Sequence, residues 1–414
     1  MNTAISKKKR NILMIFSIIG PGLITVNAGN DAGGITTYAS IGASYGYKML
    51  WGLLLITFSL AVIQEMNSRM AVVTGKGLAD LIREKFGVKL TFFAMLVLFI
   101  ANFGVVLGDF AGVAASMELF GVSRYISVPL IALIIWILVT KGSYSKVEKV
   151  FLLFTFVFFT YIISAFMSKP QWSTVFKSMA SPVLEMKSSF ILALIGMIGT
   201  TITPYMQFYL QSSIVDKKMS IKDYKYEKLD VYFGAFWGNA VSFFIIVCTA
   251  ATLYKAGIGI TSAEQAAMAL KPLAGQYAFL LFGIGLFGAS VLAAAIIPLS
   301  TSYAICEAFG WESGIDNSYK EAPAFFTIYS TFIVLGALFI LVPGVSLMKI
   351  ILATQQIAGI LSPIILTFMI ILINDKRIMG KYVNTKLQNI ISWVTVTFIV
   401  VLSLILLASS FIHF

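Results

Sequence analysis

The sequence predicts an all-α integral membrane protein. Of its 414 residues, 59% are hydrophobic and 12% are charged, whereas about 25% of the residues of a typical soluble domain are charged. The mean hydropathy is +0.91. Apolar runs recur along the chain, and a helix needs about 20 apolar residues to cross ~30 Å of hydrocarbon. We therefore expect one transmembrane domain over residues 1–414, embedded in a lipid bilayer.

Eleven apolar runs are interpreted as membrane-spanning helices. Short loops separate them, without a Ser/Gly linker or a low-complexity tract. No cleavable signal peptide is expected, because no small-residue cleavage site follows the basic patch from Lys7 to Arg10. The predicted spans are 12–43, 46–72, 90–119, 126–140, 148–167, 188–214, 229–254, 274–305, 323–342, 347–373 and 390–412.

Basic residues are concentrated in alternate loops. If the N-terminus is cytoplasmic, the inside segments hold 22 of the 30 Lys and Arg residues and the outside segments hold 8. This asymmetry follows the positive-inside rule. We expect a cytoplasmic N-terminus, a C-terminus outside, and a multi-pass protein of the plasma membrane. The same asymmetry accounts for the net charge of +12 without a nucleic-acid partner, and no obligate protein partner is expected.

The first span contains a charged, glycine-rich point, Asn30-Asp31-Ala32-Gly33-Gly34. A carboxylate inside hydrocarbon is costly and usually marks an ion or substrate pathway. The glycine pair weakens the helix around it. The run therefore predicts an unwound, charged point part-way across the bilayer, where freed backbone carbonyls can coordinate a cation.

The sixth span contains a second interruption, at residues 199–205. Pro204 removes a backbone donor and clashes with the preceding turn, and neighbouring threonines can bond the freed carbonyls. Two interrupted spans at equivalent places in a five-plus-five arrangement point to the midplane site of a transporter. We expect repeat 1 over about 12–167, repeat 2 over about 188–373 and an extra helix over about 390–412. The alternative is that both interruptions are kinks that aid packing.

No pattern in the sequence indicates an enzyme. It contains no phosphate-binding loop, no nucleophile triad and no metal-thiolate spacing. The two cysteines, Cys248 and Cys306, fall in or beside apolar segments, so neither a disulfide framework nor a thiolate metal site is expected. We expect no enzymatic activity and no bound cofactor.

Several motifs resemble the Nramp family of divalent-metal transporters. Thr203-Pro204-Tyr205 stands where the family has Met-Pro-His, and Gln355 matches a tenth-helix glutamine that approaches the ion. The other matching motifs are Gly20-Pro21-Gly22, Asp31-Ala32-Gly33-Gly34, Gly46-Tyr47, Leu50-Trp51, Thr74-Gly75, Leu78-Ala79 and Tyr209-Leu210-Gln211-Ser212-Ser213. The resemblance covers nearly the whole chain. It implies the leucine-transporter fold, with ten helices in two inverted repeats plus one extra helix.

The resemblance also implies a divalent metal ion between spans 1 and 6. Nramps hold the ion with an aspartate and an asparagine of helix 1, a methionine sulfur of helix 6 and backbone carbonyls. In this sequence Asp31 matches the family's aspartate. Gly34 occupies the position of the family's asparagine, and Thr203 that of its methionine. Thioether sulfur favours transition metals, so a wider oxygen site favours partly hydrated Mg²⁺, which dehydrates reluctantly. The metal residues expected are Asp31, Asn30, Thr203, Gln355, Thr200 and Gly34.

These replacements look like the Nramp-related magnesium transporter branch, and proton coupling is not expected. Nramps move protons through a helix-6 histidine and acidic residues of helix 3. Tyr205 stands at the histidine position, and only Asp109 of the acidic pair remains. The pKa of Tyr is ordinarily about 10, which makes Tyr205 a poor relay at neutral pH. His413, the single histidine, is a tail residue.

Five polar residues are expected beside the ion pathway: Asp109, Tyr205, Glu65, Gln207 and Asn239. For Glu65 the alternative is a structural ion pair, since Arg69 lies four residues later on the same helix face. For Asn239, which aligns with an Nramp asparagine, the alternative is an interhelical hydrogen bond.

The sequence thus predicts a secondary transporter for uptake of Mg²⁺, and also Mn²⁺, as partly hydrated ions by alternating access in a bacterial membrane. Two alternatives stay open. One is a proton-coupled Mn²⁺/Fe²⁺ Nramp symporter. The other is a symporter of the same superfamily for an amino acid or another organic solute, whose carboxylate would meet the broken-helix N-termini. Asp31 disfavours an anionic group at that place.

Overall fold

The computed structural model describes residues 25–26, 29–141, 159–315 and 317–411. All regular secondary structure in these ranges is helical. The helices of nine or more residues are α1 (Ala32–Tyr45), α2 (Leu50–Thr74), α3 (Leu78–Leu119), α4 (Arg124–Lys141), α5 (Phe159–Met167), α6 (Trp172–Ala180), α7 (Ser188–Thr201), α8 (Pro204–Asp216), α9 (Tyr224–Thr249), α10 (Ala278–Phe309), α11 (Pro323–Ile340), α12 (Leu347–Asn374) and α13 (Lys386–Phe411). A π-helical turn, Ala250–Tyr254, extends α9, and short helical turns such as Ala263–Ala267 and Lys376–Met379 lie in the connections.

Nine helical stretches of the described ranges are long and apolar enough to cross a membrane. Each corresponds to one predicted span, and α7 and α8 together form the stretch Ser188–Asp216. The predicted spans 12–43 and 148–167 lie partly outside the described residues. Within the described ranges, α1 and α5 cover the second parts of these two spans. The all-helical membrane class is therefore confirmed. The number eleven and the division into two repeats stay predictions.

Two segments expected as loops are helical. α3 begins at Leu78, well before the predicted span 90–119, and bends at Gly87, whose φ is 74°. The first turns of α3 carry several charged residues, so a hydropathy pattern assigns them to a loop. α6 is a short amphipathic helix in the connection before α7, with Val175 buried against the bundle. At nine residues it is too short to span a bilayer.

Glycines allow α7 and α12 to touch backbone to backbone. A Cβ at Gly199 would overlap the carbonyl oxygen of Gln355 and the backbone of Gly359. A Cβ at Gly359 would in turn overlap the carbonyl oxygen of Ile195. Small residues at such contacts are the usual way for membrane helices to approach closely. The contact brings Thr200, next to Gly199, to the same level as Gln355.

α3 packs along α10 and α12 and passes beside the start of α1. A Cβ at Gly112 would overlap both the Ala32 side chain and the Ser290 hydroxyl. Asp109 lies three residues earlier on the same face of α3. The packing of Gly112 against Ala32 therefore carries the Asp109 carboxylate to the first helix break.

Candidate metal site

The first break lies at residues 29–31, where the chain turns before α1 begins. Asp31 is the N-cap of α1, and its Oδ1 accepts a hydrogen bond from the Gly34 N–H at 2.6 Å. The sequence predicts an unwound run over 30–34, but Gly33 and Gly34 belong to the first turn of α1. The reason is the Asp31 side chain, which satisfies a free N–H and favours a helix start there. The negative charge also suits the positive end of the helix dipole.

The second break separates α7 from α8 at Ile202 and Thr203, as Pro204 predicts. Pro204 is the first residue of α8, a position where its missing N–H costs nothing. The Ile202 N–H donates to the Ile198 carbonyl at 2.8 Å and ends α7. Thr203 therefore lies between two helix ends, and its hydroxyl donates to the Gly199 and Thr200 carbonyls at the end of α7.

Three oxygen atoms converge on the space left by the missing side chain of Gly34. A Cβ there would lie 2.6 Å from the Gly29 carbonyl oxygen, 3.2 Å from Thr200 Oγ1 and 3.5 Å from Asp31 Oδ1. Thr200 Oγ1 is buried and has no hydrogen-bond partner among the described residues. A carbonyl, a hydroxyl and a carboxylate around one space form a hard-oxygen donor set suited to Mg²⁺ and Mn²⁺. We call this arrangement the oxygen cradle.

Gln355 lies against the first turn of α1. A Cβ at Gly33 would overlap the Gln355 side-chain amide, so the glycine leaves the room that the amide occupies. Both Oε1 and Nε2 of Gln355 are buried and lack a hydrogen-bond partner within the described part of the chain. A buried amide without partners is costly. A cation binds the Oε1 of such an amide, and a hydration water can bind either atom.

Asp109 and Tyr205 stand beside Asp31. The charges of Asp31 and Asp109 are close enough to interact, and both carboxylates act on Tyr205. The backbone N–H of Ala32 faces Asp109. Asp109 is 1% exposed and Tyr205 is fully buried. The structure thus brings together residues that the sequence places in three separate spans.

Two residues expected as metal ligands are engaged elsewhere. The Asn30 amide contacts α9, where it accepts from Ser242 Oγ at 3.3 Å and donates to the Gly238 carbonyl at 3.5 Å. Thr203 Oγ1 donates to the Gly199 carbonyl at 2.8 Å. Asn30 therefore ties the first break to α9, and Thr203 caps the end of α7. Thr200, rather than Thr203, supplies the hydroxyl of the oxygen cradle.

Gln207 and Asn239 both bind α2. Asn239 Nδ2 donates to Thr57 Oγ1 at 2.9 Å. Asn67 Nδ2 donates to the Gln207 carbonyl and lies 3.4 Å from Gln207 Oε1. For Asn239 the interhelical hydrogen bond is present, as the alternative predicts. A role of either residue in the ion pathway stays a prediction.

Glu65 belongs to a buried polar network that links α2, α9 and α13. Its Oε1 lies 3.1 Å from Arg69 Nε and also accepts from the Tyr224 hydroxyl. Its Oε2 accepts from Gln388 Nε2 at 2.7 Å. Arg69 donates in addition to Asn384 Oδ1 at 2.5 Å. Because both carboxylate oxygens are paired, the geometry favours the structural ion pair over a cation-attracting role.

Two neighbours of the breaks were not predicted. Met206 packs against Gly29, where a Cβ would overlap its terminal methyl group and lie 3.7 Å from its Sδ. A sulfur atom therefore lies next to the first break, although the site was expected to contain oxygen alone. The signal in the sequence was the spacing, because Met206 lies in the first turn of α8, three residues after its N-cap Thr203. Tyr38 joins α1 to α7 through a 2.8 Å hydrogen bond between its hydroxyl and Thr201 Oγ1.

The assembled site is closed to solvent. Asp31 is 2% exposed and Gln355 is 1% exposed. Among the described residues, no group of three or more His, Cys, Asp or Glu side chains is placed to hold a metal ion. A divalent cation at the cradle would therefore meet one or two carboxylates and several neutral oxygens. That donor set leaves part of the coordination sphere to water.

Comparison with known proteins also points to a transporter of divalent metal ions. The Nramp family model, described as natural resistance-associated macrophage protein-like, matches residues 22–409. The divalent metal cation transporter MntH of Erwinia tasmaniensis is 31% identical over 280 residues, which is 66% of this chain and 67% of that protein. The divalent metal cation transporter MntH of Bacillus subtilis is 24% identical over 420 residues, covering 99% of this chain and 96% of the relative.

Solved structures share the fold. The manganese transporter of Eremococcus coleocola, in complex with an aromatic bis-isothiourea substituted compound, gives a TM-score of 0.77 at 17% identity, over 100% of this chain and 90% of that chain. Mhp1, a nucleobase-cation-symport-1 family transporter in a closed conformation, gives a TM-score of 0.55 at 15% identity, over 94% of this chain and 90% of that chain. The leucine-transporter type of fold is therefore supported.

The family matches over most of the chain, together with its apolar helices, make this protein a multi-pass transporter and not an enzyme. The chain belongs to the Nramp family of divalent metal transporters. The matches place it in the family and leave its branch open.

Proposed function

We propose that this protein is a secondary transporter that takes up Mg²⁺, and also Mn²⁺, as partly hydrated ions by alternating access and without moving protons. The observation that supports this most directly is the oxygen cradle at Gly34, formed by the Gly29 carbonyl, Thr200 Oγ1 and Asp31. Mg²⁺ in proteins is usually bound through one or two carboxylates and keeps several waters. The cradle offers one carboxylate and neutral oxygens, which fits that preference.

Each residue of the site has a distinct role in this proposal. Asp31 supplies the charge that compensates for the ion's loss of water, and Thr200 supplies a neutral ligand. Gln355, with both amide atoms unpartnered within the described ranges, binds the ion or one of its waters. Asp109 adds a second negative charge that attracts a dication into a site with few other polar groups.

Transport without protons is supported by Tyr205, which stands where the Nramp family has a histidine in its sixth helix. Tyr205 is buried beside Asp31 and Asp109, and the pKa of Tyr is ordinarily about 10. The membrane potential alone supplies ~2.3 kcal/mol per charge per 100 mV, hence ~4.6 kcal/mol for a dication. At about 1.4 kcal/mol per factor of ten, this is enough for roughly thousandfold accumulation.

Proton-coupled transport of Mn²⁺ or Fe²⁺ is the second candidate. One observation favours it: the carboxylates of Asp31 and Asp109 interact within a buried site, and closely spaced carboxylates can share a proton. The Eremococcus coleocola protein of similar structure is a manganese transporter, which is also consistent with this candidate.

Calorimetric titration of Mg²⁺, Mn²⁺ and Ca²⁺ into the purified protein tests the metal site. We expect Asp31→Ala to lose at least a hundredfold in Mg²⁺ affinity, because it removes the charged ligand. The matched control is Glu84→Ala, which removes an exposed carboxylate paired with Lys76 and should bind as wild type does. Normal Mg²⁺ binding by Asp31→Ala would show that the assignment of Asp31 is wrong.

Proteoliposomes that contain a pH-sensitive dye separate the two candidates. With an inside-negative potential, we expect Mg²⁺ influx without acidification of the lumen. Acidification that depends on Mg²⁺ or Mn²⁺ would contradict uncoupled transport and identify the proton-coupled alternative. If acidification occurs, Asp109→Asn tests the proton carrier, because it should abolish metal-dependent acidification only if Asp109 carries the proton.

A further inference from the structure

A second group of polar side chains lies where α8, α10 and the turn between α2 and α3 meet. Glu307, in the last turn of α10, accepts a hydrogen bond from Ser212 Oγ of α8 at 2.8 Å. Gln211, the preceding residue of α8, donates from Nε2 to the Lys76 carbonyl of the turn at 2.9 Å. Two neighbouring residues of α8 thus join the three segments at one junction.

This junction is separate from the oxygen cradle. Ser300 Oγ of α10 lies 3.3 Å from the Tyr205 carbonyl, beside the second break. Glu307 follows Ser300 by seven residues and Gln211 follows Tyr205 by six, so both lie ~9–10 Å further along their helices. The junction is therefore near the membrane surface that carries the α2–α3 turn. The distribution of Lys and Arg predicts that this surface is cytoplasmic.

Two oxygen atoms at the junction have no hydrogen-bond partner. Glu307 Oε2 and Gln211 Oε1 are both buried, and neither is bonded to any of the described residues. The whole Gln211 side chain is buried as well. An ionised carboxylate and an amide oxygen only accept hydrogen bonds, and a buried polar atom without a partner is costly. The chemistry that suits both atoms is therefore a donor or a cation.

Gly77 leaves the room that the Glu307 carboxylate occupies. A Cβ at Gly77 would overlap Glu307 Oε2 and lie 3.0 Å from Oε1. Gly77 is the N-cap of α3 with a φ of −67°, which any residue adopts, so space and not backbone conformation favours glycine there. Because Lys76 and Gly77 are adjacent, the two unpartnered oxygens belong to side chains that contact the same turn.

The surroundings of Glu307 are acidic. The charges of Asp80, in the first turn of α3, and of Asp216, at the end of α8, act on it. None of the three carboxylates forms an ion pair within the described ranges. They do not converge as three direct metal ligands, so Asp80 and Asp216 act on a cation through their charge or its waters. Asp216 is exposed, which gives the junction an aqueous side.

Basic side chains near the junction are engaged elsewhere. Lys76 Nζ lies 2.5 Å from Glu84 Oε1. Arg83 donates to the Ala308 carbonyl at 2.6 Å. Three unpaired carboxylates and a free amide oxygen therefore favour a cation over a neutral donor.

We propose that this junction is a second divalent-cation site, in which Glu307 Oε2 and Gln211 Oε1 bind a Mg²⁺ or Mn²⁺ ion that keeps most of its waters. Asp80 and Asp216 attract the ion and bind its waters. One direct carboxylate, a neutral oxygen and several waters suit these hard cations.

The position of the site gives it a regulatory consequence, which rests on the proposed function. Alternating access moves one group of helices against another, and α8 begins at the second break. An ion bound at the junction holds α8 against α10 and the α2–α3 turn. A divalent cation on this side of the membrane therefore slows transport.

Electron paramagnetic resonance counts the Mn²⁺ ions bound to the full-length protein and tests the second site. We expect wild type to bind two ions per chain. Glu307→Gln, which keeps the shape and the hydrogen bond from Ser212, should bind one. The matched control is Glu312→Gln, which changes an exposed carboxylate just beyond α10 and should bind two.

A second variant blocks the site without changing a charge. In Gly77→Ala the new methyl group displaces the Glu307 carboxylate, so we expect the affinity of the second site to fall at least tenfold. Gly259→Ala is its control, because a Cβ there meets no described atom within 4 Å. Thermal unfolding of each variant shows whether the fold is retained.

Two Mn²⁺ ions bound to folded Glu307→Gln, or a single wild-type ion that is lost in Asp31→Ala, would overturn the second site and leave the proposed function intact. Two ions bound to Asp31→Ala would instead refute the proposed function. Mn²⁺ uptake into proteoliposomes in which the α2–α3 turn faces the lumen tests the regulation. We expect millimolar Mg²⁺ in the lumen to slow uptake severalfold in wild type and Glu312→Gln, and not in Glu307→Gln. Equal inhibition of all three would refute regulation through this site.

Discussion

Replacement of Gly34 by alanine tests whether the ion binds in the oxygen cradle. Two effects of this change have opposite signs. Alanine in a helix is normally more stable than glycine by roughly 0.5–1 kcal/mol. At Gly34, however, the new Cβ would lie 2.6 Å from the Gly29 carbonyl oxygen, so one of them must move by several tenths of an ångström. Overpacking of this kind costs about 1–3 kcal/mol, so the clash outweighs helix propensity.

The same methyl group would compete with the ion for its ligands. It would lie 3.2 Å from Thr200 Oγ1 and 3.5 Å from Asp31 Oδ1, within the space that the cradle leaves for a cation. If the overpacking cost of about 1–3 kcal/mol appears in binding, Mg²⁺ affinity falls roughly 5- to 150-fold, at about 1.4 kcal/mol per factor of ten.

Calorimetric titration of Mg²⁺ into purified Gly34→Ala measures this loss. The matched control is Gly259→Ala, because a Cβ there meets no described atom within 4 Å, and it should bind as wild type does. Thermal unfolding of both variants shows whether the fold is retained. A folded Gly34→Ala protein with wild-type Mg²⁺ affinity would refute the placement of the ion in the cradle.

Three further predictions concern other parts of the molecule. Thr203→Met restores a thioether at the family's position and should raise the ratio of Mn²⁺ to Mg²⁺ uptake severalfold, because sulfur favours transition metals; an unchanged ratio in competition assays would contradict this. Arg69→Met leaves the buried Glu65 carboxylate without its cation and should destabilise the fold by about 3–5 kcal/mol. The double variant Arg69→Met/Glu65→Gln should recover most of the lost melting temperature, and equal losses in the single and double variants would count against the pairing. Lys48, 2.6 Å from Glu185, lowers the pKa of that carboxyl below its ordinary 4.5, and a carboxyl with a lowered folded-state pKa contributes stability that is lost as the pH falls. The difference in melting temperature between wild type and Glu185→Gln should therefore vanish in acid, and its persistence there would disprove the link.

The helix breaks could be predicted from the sequence because their causes are local. Pro204 cannot donate a hydrogen bond at any position, so an interruption near it follows from the residue alone. Asp31 in an apolar run is likewise informative without a structure. The predicted extent of the first break was too long, however. The hydrogen bond from the Gly34 N–H to the N-cap Asp31 adds a turn of helix that composition does not show.

The choice of ligands depends on contacts that no local pattern contains. Thr200 and Thr203 are both hydroxyl residues near the second break. Thr203 donates to its own helix at Gly199, and Thr200 faces Gly34. The way α7 ends decides which of the two hydroxyls has no hydrogen-bond partner. Helix packing decides how close that hydroxyl comes to α1. The family resemblance supplied the position of Thr203, and the geometry points to Thr200.

The backbone contact between Gly199 and Gly359 determines which part of the site can move. With no side chain between them, α7 and α12 cannot rotate or slide past each other without overlap on one side and a gap on the other. Thr200 and Gln355 are carried on these two helices, so their spacing is that of a rigid body. Asp31 is carried on α1, which reaches α7 through the hydrogen bond between Tyr38 and Thr201. In the proposed transport cycle, ion release would consist of withdrawing one charged ligand from a fixed pair of neutral ones, so the electrostatic part of the binding energy would be lost first.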